Sequence, residues 1–206
     1  MARSTLAKAG RGLLKSLLVL VCLAGTAEAQ RGAITIPRNL NELTKRADLI
    51  VRGTVVHARV ERHPDQPQMQ TLVVTLAVKK TLKGQAQQFH TFRQYIWDIR
   101  DKLDAAGYRK GDEVLLMLFG PNRYGLSGLA GMEQGRFRIY RDRSGQEVAV
   151  NGAGNFMLFR GMQEQLRAKL PELTLPTQKM LEEGRAAPMA AADLEALIEQ
   201  SVHGRR

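Results

Sequence analysis

The residues with the best claim to metal chemistry are His57, Glu61, His63 and Asp65. Imidazole and carboxylate side chains are ordinary ligands for zinc and related ions. On a strand, His57, Glu61 and His63 point to one side, because side chains alternate. A rise of about 3.3 Å per residue then separates His57 from the other two by roughly 13 to 20 Å. One ion would reach only Glu61 and His63, with His90 supplied from a different strand. The spacing fits none of the usual ligand patterns. The plainer reading is solvated polar residues at a strand end, and no metal or cofactor is expected.

Two glycine motifs fall short in the same way. Gly125-Leu126-Ser127-Gly128-Leu129 approaches a nucleophile elbow but lacks its last glycine. It reads as part of a flexible loop. Gly152-Ala153-Gly154 has Met157 where a dinucleotide fingerprint needs its third glycine. It reads as a turn leading into a helix. With no nucleophile beside a base and no paired acids, the chain is expected not to be an enzyme.

The more informative pattern combines cations with aromatic rings. Arg93, Tyr95 and Trp97 alternate along one stretch, and Arg136, Arg138 and Tyr140 along another. Rings among guanidinium groups suit stacking on sugars or bases and cation–π contact. Arg123 and Tyr124 stand in the glycine-rich loop before the second stretch. Arg136 and Arg138 oppose Phe137 and Ile139 across that strand. The arginines are therefore expected to face outward and form one basic patch with Arg123. The competing reading puts Tyr95 and Trp97 in the core and leaves the arginines in solvent.

The elements that must position these residues follow from periodicity. Asn39 caps a short helix with Leu40, Leu43 and Ala47 on one stripe. Leu49 to Glu61, rich in Val and Thr, is a long strand. His63-Pro64-Asp65-Gln66-Pro67 turns the chain. Residues 71–82 alternate with period two, which predicts Leu72, Val74, Leu76 and Val78 as buried. A third strand covers 88–96. Asp98 caps a short helix bearing Ile99, Leu103 and Ala106, and Gly107 ends it. Glu113 to Phe119 is apolar on both faces, as a central strand is, so Leu115 and Leu118 belong to the core. Strands at 136–141 and 147–151 follow. Residues 157–170 look helical, prolines punctuate the next stretch, and 191–202 form a last amphipathic helix.

Strand, strand, strand, short helix, strand, strand is the order of an OB fold. The expectation is a mainly β protein: a five-stranded OB-like barrel over 30–156, with a short helix between strands three and four. A helical, partly flexible tail over 157–206 completes it. OB barrels bind ligands on strands two and three and with the loops after strands one and four. Those loops are 62–70 and 120–135 here, which selects Arg93, Tyr95, Trp97, Arg123 and Tyr124.

The first 29 residues read as a cleavable secretory signal. Arg3, Lys8, Arg11 and Lys15 precede a short apolar run from Leu17 to Ala24, and Ala27 and Ala29 are the small residues before the cut. The run is too short to span a bilayer, which takes roughly 20 apolar residues. Val21 before Cys22 is not the small residue that lipoprotein processing wants. The expectation is a soluble mature chain in the periplasm or secreted. Cys22 is the only cysteine, so that chain would have no disulfide. The formal net charge is +11, from 31 basic and 20 acidic residues. Without the leader, 27 basic residues stand against 19 acidic, a net of +8. Outside the cytoplasm, such a balance points to anionic glycans, lipid headgroups or acidic proteins, not to nucleic acid.

Four motifs carry a resemblance: Arg46-Ala47-Asp48-Leu49-Ile50-Val51-Arg52-Gly53-Thr54-Val55, the strand ending Leu82-Lys83-Gly84, Lys110-Gly111-Asp112-Glu113-Val114-Leu115-Leu116, and Gly135-Arg136-Phe137-Arg138-Ile139. Together they resemble a group of uncharacterised secreted bacterial proteins with an OB-fold-like domain. The first half is similar to the netrin-like domain of tissue inhibitors of metalloproteinases, with the likeness covering roughly 40–150. Those inhibitors chelate zinc through an amino-terminal cysteine. Gln30-Arg31-Gly32 has none, so no functional residue carries over. The expected function is a non-catalytic extracytoplasmic binding module for a protein or an anionic envelope polymer. The alternative is a regulator or inhibitor of a secreted protease.

Overall fold

A computed structural model describes residues 36–96 and 101–204. The leader, Trp97, and the Asp98 and Ile99 expected to open the short helix lie outside the described residues.

Asn39 caps α1 (Leu40–Arg46) with a reciprocal pair of bonds. Its Oδ1 accepts from Glu42 N at 2.9 Å, and Glu42 Oε2 accepts from Asn39 N at 3.0 Å. The other end is closed by a cation. Lys83 Nζ donates to the carbonyls of Thr44 and Ala47 at 2.8 and 2.5 Å.

The strands are β1 (Leu49–Arg62), β2 (Gln70–Lys83), β3 (Phe89–Tyr95), β4 (Glu113–Leu118), β5 (Arg136–Arg141), β6 (Glu147–Asn151) and β7 (Met189–Ala190). Between β3 and β4 lies the short helix α2 (Asp101–Asp104), running into a turn of 3-10 helix at 105–107. After β6 come α3 (Gln163–Arg167), α4 (Leu175–Glu183) and α5 (Ala191–His203).

The protein is mainly β, but the sheet is open. Seven antiparallel strands run in the order β3-β2-β1-β4-β5-β6-β7. Closure into five strands would need β5 to offer its free edge to β3. That edge is taken by β6, paired from Phe137↔Asn151 to Arg141↔Glu147. The strand expected to be a mere addition therefore keeps the barrel open.

β1 and β2 bend together through three register shifts. At one of them Gly53 meets β2 so closely that a Cβ would lie 2.6 Å from the Ala77 carbonyl oxygen. The curled half of the sheet encloses one core: Val51, Val55, Leu72, Val74, Leu76, Phe92, Val114, Leu116 and Leu118, with Tyr108 packed over it. Val78, expected inside, is only half-buried, because it pairs with Gly53 at the bulge.

The opposite face of the sheet packs on helices. Ile50, Leu115, Met117, Phe137 and Ala149 meet Leu40, Leu43, Leu194 and Ile198 there. Leu158, Phe159, Met162, Leu166, Met180 and Leu181 join the same core. No domain boundary therefore falls at 156, and the tail is part of the fold. α4 lies in the polar stretch that Pro171, Pro176 and Pro188 punctuate, where no helix was expected. Pro176 sits in its first turn, where no N–H is needed.

Charge fastens α5 to this face. Arg52 Nη1 donates to Glu195 at 2.7 Å, Nη2 to Glu147 at 2.7 Å, and Nε to Glu113 at 2.6 Å. Lys80 adds a contact to Glu195 and Lys79 one to Glu113. Burial pushes Glu195 up, but hydrogen bonds from Arg52 and Lys80 outweigh it and hold the carboxyl below its ordinary range. Glu147 is lowered too, first by its hydrogen bond from Arg52.

A carboxylate lowered on folding stabilises the fold at pH above its ordinary value, and that contribution is lost as pH falls through the folded value. The denaturation midpoint should therefore be nearly flat between about pH 7 and 5 and fall below about pH 4.5. Replacing Glu147 and Glu195 by Gln should lower the plateau and flatten the acid limb. Denaturant titrations across that range check both. An unchanged acid limb in the double variant would contradict the assignment.

Candidate functional site

The structure divides the expected binding residues between two faces. Arg93 and Tyr95 pair with Val73 and Thr71 on β2, which face away from the curled core. Arg136 and Arg138 pair with Leu116 and Val114, which face into it. Tyr140 shares the side of Arg138 by alternation, and both are exposed. The two cation–aromatic stretches are therefore not one surface.

The expected basic patch does not form, because Arg136 is engaged. Its guanidinium lies 4.6 Å from the Tyr108 ring centroid. It donates to the Ala106 carbonyl at 2.5 Å and to Glu133 at 2.6 Å. Burial opposes its charge, but Tyr108 and Glu133 offset this and hold its pKa above the ordinary value. Burial pushes the Tyr108 phenol up. Strand alternation predicts the side on which Arg136 emerges. It does not reveal that residues 105–108 cover that side.

The residues that do come together lie where the end of the β1–β2 hairpin, β3 and the loop after β4 meet. Arg93 donates to Glu61 at 2.5 Å and to Thr71 Oγ1 at 2.6 Å. Arg59 holds the other Glu61 oxygen at 2.6 Å. Hydrogen bonds from Arg59 and then Arg93 keep the Glu61 carboxyl below its ordinary range.

The loop from Phe119 to Gly131 is a built structure and not a slack connection. Phe119 N donates to Gly128 O at 2.8 Å and Asn122 N to Leu126 O at 2.9 Å. Asn122 Oδ1 accepts from Tyr124 N at 2.9 Å and Leu126 N at 3.1 Å, an Asx-type turn. Two further bonds carry the loop across the gap that β5 leaves. Ser127 N donates to the Arg93 carbonyl at 2.7 Å. His63, itself buried, donates from Nε2 to the Tyr124 carbonyl at 2.7 Å. Its Nδ1 accepts from Asp65 N at 3.1 Å, which leaves Nε2 as the donor.

The loop presents Arg123 and Tyr124 at its tip. The guanidinium stands 4.7 Å from the ring centroid, and Tyr124 is 41% exposed. Tyr95, on the strand this loop meets, is 44% exposed. Trp97 falls outside the described residues. Glu61, Thr71 and Ser127 were not singled out by sequence as parts of such a site. The signals available were the carboxylate on the strand neighbouring Arg93 and the Pro-Asn…Gly turn chemistry at 121–125.

The candidate metal ligands are not gathered. Among the described residues, no group of three or more His, Cys, Asp or Glu side chains is placed to hold an ion. His90 pairs with Leu76 on the core side, whereas Glu61 lies on the other. It stacks 6.2 Å from Phe92, and burial pushes its pKa down. Both ring nitrogens of His63 are already bonded.

No protein-family model and no curated protein matches the chain.

His63→Ala removes the side-chain anchor while leaving the loop's own hydrogen bonds. The exchange protection of the Ser127 amide should fall by about tenfold or more, as a lost buried hydrogen bond of roughly 1–2 kcal/mol implies. Amides of β4 should be little affected. Unchanged exchange at Ser127 would show that His63 does not hold the loop.

Proposed function

We propose that the protein is a non-catalytic binding module working outside the cytoplasm, exported by its amino-terminal leader. Its ligand is a protein or an anionic envelope polymer. The single observation that carries this is the Arg123–Tyr124 tip, an exposed cation–aromatic pair on a loop fastened at both sides. A pre-ordered loop loses little entropy on binding, which favours recognition over mere solubility. Arg93 and Tyr95 extend the surface along β3. Arg138 and Tyr140 belong to the other face and are left out of it.

The connectivity supports kinship with OB domains. β1 pairs with β2 and β4, β2 with β3, and β4 with β5. The pairing order matches that of an OB barrel opened between β3 and β5, with β6 and β7 added beyond. In this reading the 119–131 loop bridges that opening and serves as the binding loop after strand four.

The test is capture from the host's own envelope extract by the exported protein and by Arg123→Gln with Tyr124→Ser. Both residues are exposed, so the variant should keep the parent's stability. Retention should fall about tenfold or more for the pair. If the partner is an anionic polymer, the remaining binding should weaken steeply with salt. Equal retention by parent and variant would refute the proposal.

A further inference from the structure

The best-built exposed feature away from the 119–131 loop is the turn between β6 and α3. Asn155, 2% exposed, holds it together. Its Oδ1 accepts from Asn151 N at 2.9 Å. Its Nδ2 donates to the carbonyls of Ala149 and Ala187 at 3.0 and 2.8 Å. Leu158 and Phe159 bury themselves in the helix-side core, and Leu40 N donates to Leu158 O at 2.7 Å. Between these anchors Phe156 and Met157 stand in solvent, 49% and 39% exposed.

The backbone there is unusual. Asn155 and Met157 have φ of 62° and 55°. Asparagine tolerates the left-handed region, but methionine does so only at a cost in backbone energy. Glycine would take that position without strain. The chain instead keeps a large apolar side chain there and points it outward. Strain of this kind is retained where the surroundings over-determine it, often at functional surfaces.

Cations flank the pair. Arg160 reaches Met157 Sδ at 3.8 Å with one nitrogen and the Pro37 carbonyl at 3.2 Å with the other. That contact brings the 36–38 segment alongside, with Ile36 71% exposed and Arg38 half-buried. The nearby carboxylates are engaged: Glu133 with Arg136, and Glu42 with the Asn39 amide.

We propose that Ile36, Phe156 and Met157, with Arg38 and Arg160, form a tip that seats the protein on an anionic lipid bilayer. The patch is a projecting turn rather than a groove. Adjacent apolar side chains on a fixed turn can enter the boundary of the acyl region while the arginines meet phosphates. The net charge of +8 that remains without the leader, from 27 basic and 19 acidic residues, adds attraction to such a surface. Attachment through one small tip is weak and reversible. It does not depend on what the Arg123–Tyr124 loop binds.

The test is partition of the exported protein onto vesicles of equal parts phosphatidylcholine and phosphatidylglycerol, against vesicles of phosphatidylcholine alone. The parent should bind the anionic vesicles and the neutral ones far less. Phe156→Ser with Met157→Ser should lower binding by about tenfold or more. Arg160→Gln should lower it by about threefold. Phe156→Trp, which leaves the backbone of the turn unchanged, should add a blue-shifted emission component with anionic vesicles that the parent lacks. Absence of parent binding would overturn the proposal. Equal binding by the double variant would do the same, leaving only diffuse charge attraction. So would the lack of any blue shift in the difference emission between Phe156→Trp and parent.

Discussion

The Arg52 guanidinium is the point on which the architecture depends. It sits near the start of β1, its side chain is 15% exposed, and it meets three carboxylates from three other elements. Glu113 belongs to β4, Glu147 to β6 and Glu195 to α5. Lys79 and Lys80 on β2, with Arg141 on β5, bring further positive charge to the same carboxylates. Arg52, Glu113 and Glu195 are largely buried, and leaving any of the three without its partners would cost several kcal/mol. That requirement fixes where β6 and α5 lie relative to β1. An apolar substitute of similar volume could stabilise as much, but it would not specify which strand and helix meet there.

The position of β6 has consequences across the molecule. By pairing with β5 it blocks the edge that a closed barrel would use. The curled half of the sheet is left with a gap between β3 and β5. Backbone groups at such an edge need partners, and the loop after β4 supplies one through Ser127 at Arg93. His63 adds a second attachment from the hairpin. The Arg123–Tyr124 loop is thus held across the gap between β3 and β5. The same antiparallel extension carries the chain on to the turn at 152–162, where Asn155 sets Phe156 and Met157 outward.

Much of the fold was legible in the sequence because most of it obeys short-range rules. The strict alternation of 71–82 marked β2, the two-sided apolar run at 113–119 marked β4, and Asn39 marked the start of α1. Strands at 136–141 and 147–151 came out with their observed bounds. What was not legible depends on long-range pairing. Nothing local says that β6 takes the edge of β5 before β3 can. Pro176 read as one of the prolines punctuating a polar stretch, because its place in the first turn of α4 depends on where that helix starts. At the candidate site, alternation gave the side of each arginine but not what covers it. Arg136 therefore looked exposed, although Tyr108 and Ala106 enclose it. His63 read as a solvated residue at a strand end, yet it is buried and both its nitrogens serve the backbone.

Arg52 holds α5 on the sheet, and native-state hydrogen exchange on Arg52→Met measures this most directly. Removing the cation leaves Glu195 buried beside Glu113 and Glu147 without its main partner. A loss of roughly 3 kcal/mol in that attachment corresponds to about a hundredfold fall in protection. Such a fall is expected at the amides of Leu194 to Ile198, with a much smaller change in the middle of β1 and β2. Equal loss of protection throughout the sheet, or none in α5, would contradict it.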